Sequence, residues 1–245
     1  MKKEIGWSRK SVTDKTRKKQ PIASAAHDQA RLIAPAGRLD MPSQIRTLPF
    51  AHPIRAEVEA AFGFGPFQMI DHDGLAHAGG CYWNVDDRVE NYGGESVLGW
   101  KILFWPDLFA VAVHHAVWLK PKSGRLVDIT EKVPSDTEPR TTFVADDGLP
   151  VNDLTRAPFI ADRYHLLSMC PEVHEFVAAE RARIAHQRTL ADRLFAAGAT
   201  WRPRGGYEIN EKLLEQFKPA FLVSKQLNLR VEAAIEACNR LDVTV

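Results

Sequence analysis

Only three cysteines, Cys81, Cys170 and Cys238, occur in the 245 residues of the chain. They are odd in number and far apart, with no Cys-x-x-Cys pair, which speaks against a disulfide framework and against a thiolate-rich structural zinc site. No run approaches the roughly 20 consecutive apolar residues of a membrane helix. The N-terminal stretch has no apolar core of the secretory kind, so the expectation is a cytoplasmic protein without a membrane partner. A Gly-rich phosphate loop is missing too, and no organic cofactor is expected. The net charge is only +1, which argues against a nucleic-acid-binding surface spread over the whole molecule.

What charge asymmetry there is lies at one end. Met1 to Gln20 holds eight Lys or Arg against Glu4 and Asp14. A basic run with no apolar stretch behind it reads first as a solvated tail, and second as a contact for nucleic acid or an acidic partner. Pro21, Pro35 and Pro42 then interrupt any long element up to residue 50. The chain divides into a basic tail and extended lead-in (1–50), an α+β core (51–170) and a helical appendage (171–245).

Within the core, Ile54 to Phe62 has helical apolar spacing and ends at Gly63. Phe67 to Ile70 reads as a short strand and Asp71 to Gly80 as a loop. Val85, Val89 and Tyr92 fall on one helical face, with Gly93-Gly94 as the stop. Val97 to Trp105 alternates as a strand and stops at Pro106, and Thr141 to Val144 offers another. Pro171 opens a helical region up to Gly198, and a second runs from about Asn210 to Leu241.

The informative stretch is Ala110 to Thr130, two strands about the turn formers Pro121-Lys122-Ser123-Gly124. A loop of those four residues sets Trp118 opposite Val127 and Val117 opposite Asp128. His115 shares a face with Val117, so it lies one diagonal step from Asp128, while His114 points the other way. A loop one residue longer or shorter would reverse this and make His114 the base. An imidazole held by a carboxylate has a fixed tautomer and a stabilised cationic form, as a general base requires.

The candidate nucleophile is Cys81, at a helix start after Gly79-Gly80, where free N–H groups and the helix dipole favour a thiolate. The order Cys81, His115, Asp128, with separations of 34 and 13 residues, leaves room for a helix, a returning strand and a tight hairpin. The run His115-Ala116-Val117-Trp118, then Gly124, then Leu126-Val127-Asp128-Ile129-Thr130 resembles the transglutaminase-like branch of the papain-like cysteine fold. Gly93-Gly94 to Gly99-Trp100 is similar to that family's link from the cysteine helix to the next strand. The likeness covers about Gly79 to Thr130, a fifth of the chain.

The resemblance implies an antiparallel sheet bearing His115 and Asp128 against a helix bearing Cys81. It implies a cysteine-dependent acyl transfer, most simply hydrolysis of a peptide or isopeptide amide in a peptide or protein substrate. An oxyanion needs donors, for which the Cys81 N–H and the Gln68 side chain are the candidates; Trp83 reads as packing. Each residue taken singly has a plainer reading: a buried cysteine, a satisfied histidine, a hairpin carboxylate. Two other functions compete. Asp71, His72, Asp73, His77 and Cys81 fall within eleven residues, and His72, His77 and Cys81 could hold zinc. A non-catalytic interaction module would use the basic tail and the apolar residues of the last helix, among them Phe217, Leu222, Leu229 and Val231. His165, Cys170 and His174 cluster without an acidic residue to orient them and read as structural.

Overall fold

The structure, a computed structural model, describes residues 32–34, 44–202 and 206–241. The basic stretch Met1–Gln20 lies outside them. Among the described residues, ten strands and four helices follow the order β1 (Leu32–Ala34), β2 (Arg46–Thr47), α1 (Arg55–Phe62), β3 (Gln68–Ala76), α2 (Cys81–Tyr92), β4 (Glu95–Trp105), β5 (Phe109–Leu119), β6 (Leu126–Thr130), β7 (Arg140–Ala145), β8 (Arg163–Leu166), α3 (Pro171–Ala196), β9 (Thr200–Arg202), β10 (Gly206–Ile209) and α4 (Glu211–Leu241). Among the described residues no helix is long and apolar enough to cross a membrane.

Strands β4, β7, β3, β6 and β5 are hydrogen-bonded in that order, and β5 pairs back onto β4 along its whole length, closing a small barrel. All neighbours are antiparallel except β3 and β6, which run parallel. The sheet is therefore mixed, and not purely antiparallel as expected. The parallel pair arises because β3 enters the sheet from another part of the chain, through α2 and the β4–β5 hairpin, which supply the crossover.

The expected loop from Asp71 is instead the second half of β3. Its Asp, His and Gly residues are poor strand formers. They pair nonetheless, Asp71 with Val127, His72 with Asp128 and Ala76 with Thr130, with a register shift after His72. Gly74, at φ +59°, falls within that irregularity. Pairing with β6, begun from the part of β3 that β7 also holds, overrode local composition.

Alternation along the strands sorts residues into the barrel. Ile70, Val117 and Phe143 pack together with Val97 and Leu126. A Cβ at Gly99 of β4 would collide with the Val144 carbonyl and lie 2.7 Å from the Phe143 ring, so the neighbouring β7 takes the space a side chain would need. One layer further on, Lys101, His115, Asp128 and Thr141 fill the interior with polar groups instead.

Beyond the barrel, β4 and β5 continue as a longer hairpin extended by β2 and β8. One face of this extension packs with α1 around Val58, Ile102, Phe104 and Ala110. The other packs with α3 and α4 around Trp105, Phe109, Phe176, Val177 and Val231. The residues after 171 form two long helices, as expected, but β9 and β10 lie between them and the helices share a core with β4 and β5. Their far ends enclose a second sheet, β1–β10–β9, through Leu194, Tyr207, Ile209 and Phe217.

Candidate functional site

The 121–124 turn has the expected length: Lys120 N–H donates to Arg125 O, Trp118 pairs with Val127 and Leu119 with Leu126. After those two pairs β5 and β6 part, and the same edge of β5 is next used by β8, at residues 109–112. Residues 113–117 thus have no strand on that edge. Helix α2 packs over the split, with Cys81 and Val85 against Ala116, Trp118, Val127 and Ile129. Its Tyr82 hydroxyl donates to the His114 carbonyl at 3.2 Å.

His115 and Asp128 lie beside this opening. His115 Nε2 is 2.9 Å from Asp128 Oδ1, which leaves Nδ1 as the nitrogen available to Cys81. Asp128 is saturated. Besides the imidazole, Oδ1 accepts the Thr130 backbone N–H at 3.1 Å, and Oδ2 accepts Lys101 Nζ at 3.1 Å and Thr141 Oγ1 at 2.9 Å. These four donors match the number of lone-pair sites on a carboxylate. Asp128 has no exposed surface, and His115 and Cys81 are 5% and 9% exposed.

The electrostatics follow from this packing. Burial alone would push the His115 imidazole down; the Asp128 carboxylate, and after it the Cys81 thiol through charge and a side-chain hydrogen bond, outweigh burial and raise it to about 9. Burial alone would raise Asp128, but the charges of His115 and Lys101 and their hydrogen bonds hold it well below the usual carboxylate range.

His114 is the opposite case. It lies on the outer face, where Nδ1 is 2.9 Å from Tyr82 Oη and the ring meets Trp100 edge-on at 5.1 Å. Its Nε2 is buried with no partner among the described residues. Burial first, then His115 and Arg163, lower it to about 4, against an upward pull from Asp146. A cation is thus disfavoured at His114 and favoured one residue later.

The second oxyanion candidate is not brought to this place. Gln68 opens β3, four residues before the His72 level at which β6 presents Asp128, about 13 Å along the strand. Ile70, Val117 and Phe143 intervene, and Gln68 instead borders open grooves with Met69 and Arg140. The zinc alternative is corrected as well. Among the described residues no three His, Cys, Asp or Glu side chains gather as a metal site. His72 Nε2 is 3.0 Å from Thr130 O, and Asp71 pairs with Arg125. Pairing of β3 as a strand separates side chains that a loop could have gathered. His165 does have an acidic partner, Glu57 at 2.9 Å, at the surface. Trp83 donates Nε1–H to Leu154 O and meets Trp201 at 5.8 Å, a packing role as expected.

Comparison with protein-family models, curated proteins and solved structures gives no match. The site must speak through its own chemistry. Sequence reading missed Lys101 and Thr141, although a lysine at an alternate position of the otherwise apolar run Val97 to Trp105 is a visible signal of a paired interior charge. It also missed Tyr82, whose role depends on the split between β5 and β6.

Proposed function

We propose that the protein is a cysteine-dependent acyl-transfer enzyme of papain-like, transglutaminase-like type, with Cys81 as nucleophile, His115 as base and then acid, and Asp128 as the group that orients and charges the imidazole. The observation that carries this reading is the placement of Cys81, at the first turn of α2, over a buried imidazole whose far nitrogen is held by a saturated carboxylate. Cys81 first gives its proton to His115, and the resulting thiolate, paired with the imidazolium, attacks the carbonyl carbon of an amide or ester, whose C=O electron pair moves to the oxygen. The oxyanion that forms accepts from the N–H groups of the first turn of α2, which have no intrahelical partner. His115 returns the proton to the leaving amine as the C–N bond breaks, leaving a thioester on Cys81. Water, deprotonated by His115, then attacks the thioester to release the acid, or an amine attacks to form a new amide. Peptide and isopeptide amides are the substrate class this chemistry suits.

The competing reading makes the same groups a structural polar layer, and the near-complete burial of all three favours it. Alkylation of Cys81 by iodoacetamide, followed by peptide mass spectrometry against Cys170 and Cys238, separates the two. An enzyme site labels Cys81 at least tenfold faster than the other cysteines at pH 6.5 and loses that advantage in His115→Ala. Equal labelling of all three cysteines, unchanged by the substitution, would reduce the cluster to a structural layer.

A further inference from the structure

Lys101 has no place in the sequence reading or in the three-residue mechanism above. It is a lysine 8% exposed inside a barrel, and burying an ammonium costs several kcal/mol unless it is paired. Its partner is Asp128 Oδ2, the oxygen opposite the one that holds His115. One carboxylate therefore faces two cationic groups from two strands, β4 and β5.

We propose that Lys101 is a positioning residue that sets the pH range of the Cys81–His115 site, by competing with His115 for the charge of Asp128. The inference rests on the acyl-transfer reading for its chemical meaning, though its first readout does not. Coulomb's law gives the direction. An ammonium on the far oxygen neutralises part of the carboxylate, so the imidazole is stabilised as a cation less than by a bare Asp128. A His115 bound too tightly to its proton could not hand it to a leaving amine at neutral pH.

The neighbouring titratable groups have partners of their own: His72, opposite Asp128 on β3, places Nε2 3.0 Å from Thr130 O. His115 is faced by Asp128 from β6, whose other oxygen holds Lys101 from β4, and by Cys81 from α2, with His114 beside it on β5. Lys132, which senses both Lys101 and Asp128, is taken up by Asp136 at 3.8 Å and by the carbonyls of Glu138 and Arg140, both at 2.7 Å. Thr141 shares Oδ2 with Lys101 but carries no charge, which makes it the natural control.

The test is the proton NMR titration of the His115 imidazole in the full chain, compared with Lys101→Met, Lys101→Gln and Thr141→Val. Gln keeps a donor without the charge, and it supplies a second variant if Met fails to fold. Both Lys101 variants are expected to titrate about one pH unit higher than the unaltered protein, with Thr141→Val within about 0.3 units. The descending limb of Cys81 labelling by iodoacetate, an anion drawn by the imidazolium, should move with them. Folded Lys101 variants that titrate as the unaltered protein does would overturn the proposal. So would a Gln variant that restores the unaltered titration while Met does not, since the hydrogen bond and not the charge would then matter. If His115 shifts as expected while Cys81 labels no faster than Cys170, the Lys101 inference stands and the acyl-transfer reading falls.

Discussion

His114 and His115 are adjacent in the chain and belong to two different regions of the molecule. His115 looks into the barrel, where Asp128 holds it and raises it to about 9; His114 looks outward to Tyr82 and Trp100 and is lowered to about 4. Both are 5% exposed, so burial does not separate them. What separates them is the carboxylate. At His114 burial outweighs the pull of Asp146 and removes the cation, whereas at His115 the charge and hydrogen bond of Asp128 outweigh burial and keep it.

The contrast breaks most completely at Asp128. In Asp128→Ala, Lys101 and His115 both lose their partner inside the barrel, and urea unfolding should show a loss of about 3–5 kcal/mol. His114→Asn should cost far less, because no ion pair is opened there.

Opposite pH dependences sharpen it. The His115 imidazole is raised on folding from 6.5 to about 9. Its contribution is fully present below pH 6.5 and is lost as pH rises through 9, roughly 3 kcal/mol in all. The His114 imidazole is lowered to about 4, so the unfolded chain takes up a proton first as pH falls from 6.5, and stability is lost toward pH 4. The difference in unfolding free energy between the unaltered protein and each variant, measured from pH 4 to 10, should therefore show an alkaline limb for His115→Ala and an acid limb for His114→Asn. The same limb in both differences would show that the two histidines do not differ in this way.

Reactivity divides them next. Cys81 labelling at pH 6.5 should fall at least tenfold in His115→Ala, about 1.4 kcal/mol of barrier, and should stay within threefold of the unaltered rate in His114→Asn. The smallest effect is expected in Tyr82→Phe. Loss of the hydroxyl removes its bonds to His114 Nδ1 and His114 O, which should cost about 1 kcal/mol in urea unfolding while leaving the alkaline limb of the pH profile in place.

Much of the local structure was legible in the sequence. Gly63 and Gly93 end α1 and α2 where the periodicity does, Pro106 follows the last residue of β4, and the four turn formers gave the hairpin length from which the β5–β6 register follows. The strand character of Asp71 to Ala76 was not legible, since it comes from partners 54 to 69 residues away, and its own residues favour turns. The place of Gln68 was misjudged for the same reason: a separation of 13 residues from Cys81 says nothing about which end of a barrel a strand begins at.

By itself, the sequence determined where the four helices and strands β4 to β7 lie and that Cys81 starts a helix, and it made His115 the histidine that faces Asp128 on condition of a four-residue turn. These are consequences of local rules: alternation in strands, helical spacing, and turn residues with few conformations. The tertiary structure alone decided that five strands close on one another, that β5 and β6 part where α2 covers them, and that Lys101 and Thr141 complete the shell of Asp128. The physical reason is that a buried charge is governed by every group that closure brings around it. Those groups come from β4, β6, β7 and the start of α2, and no local pattern joins them.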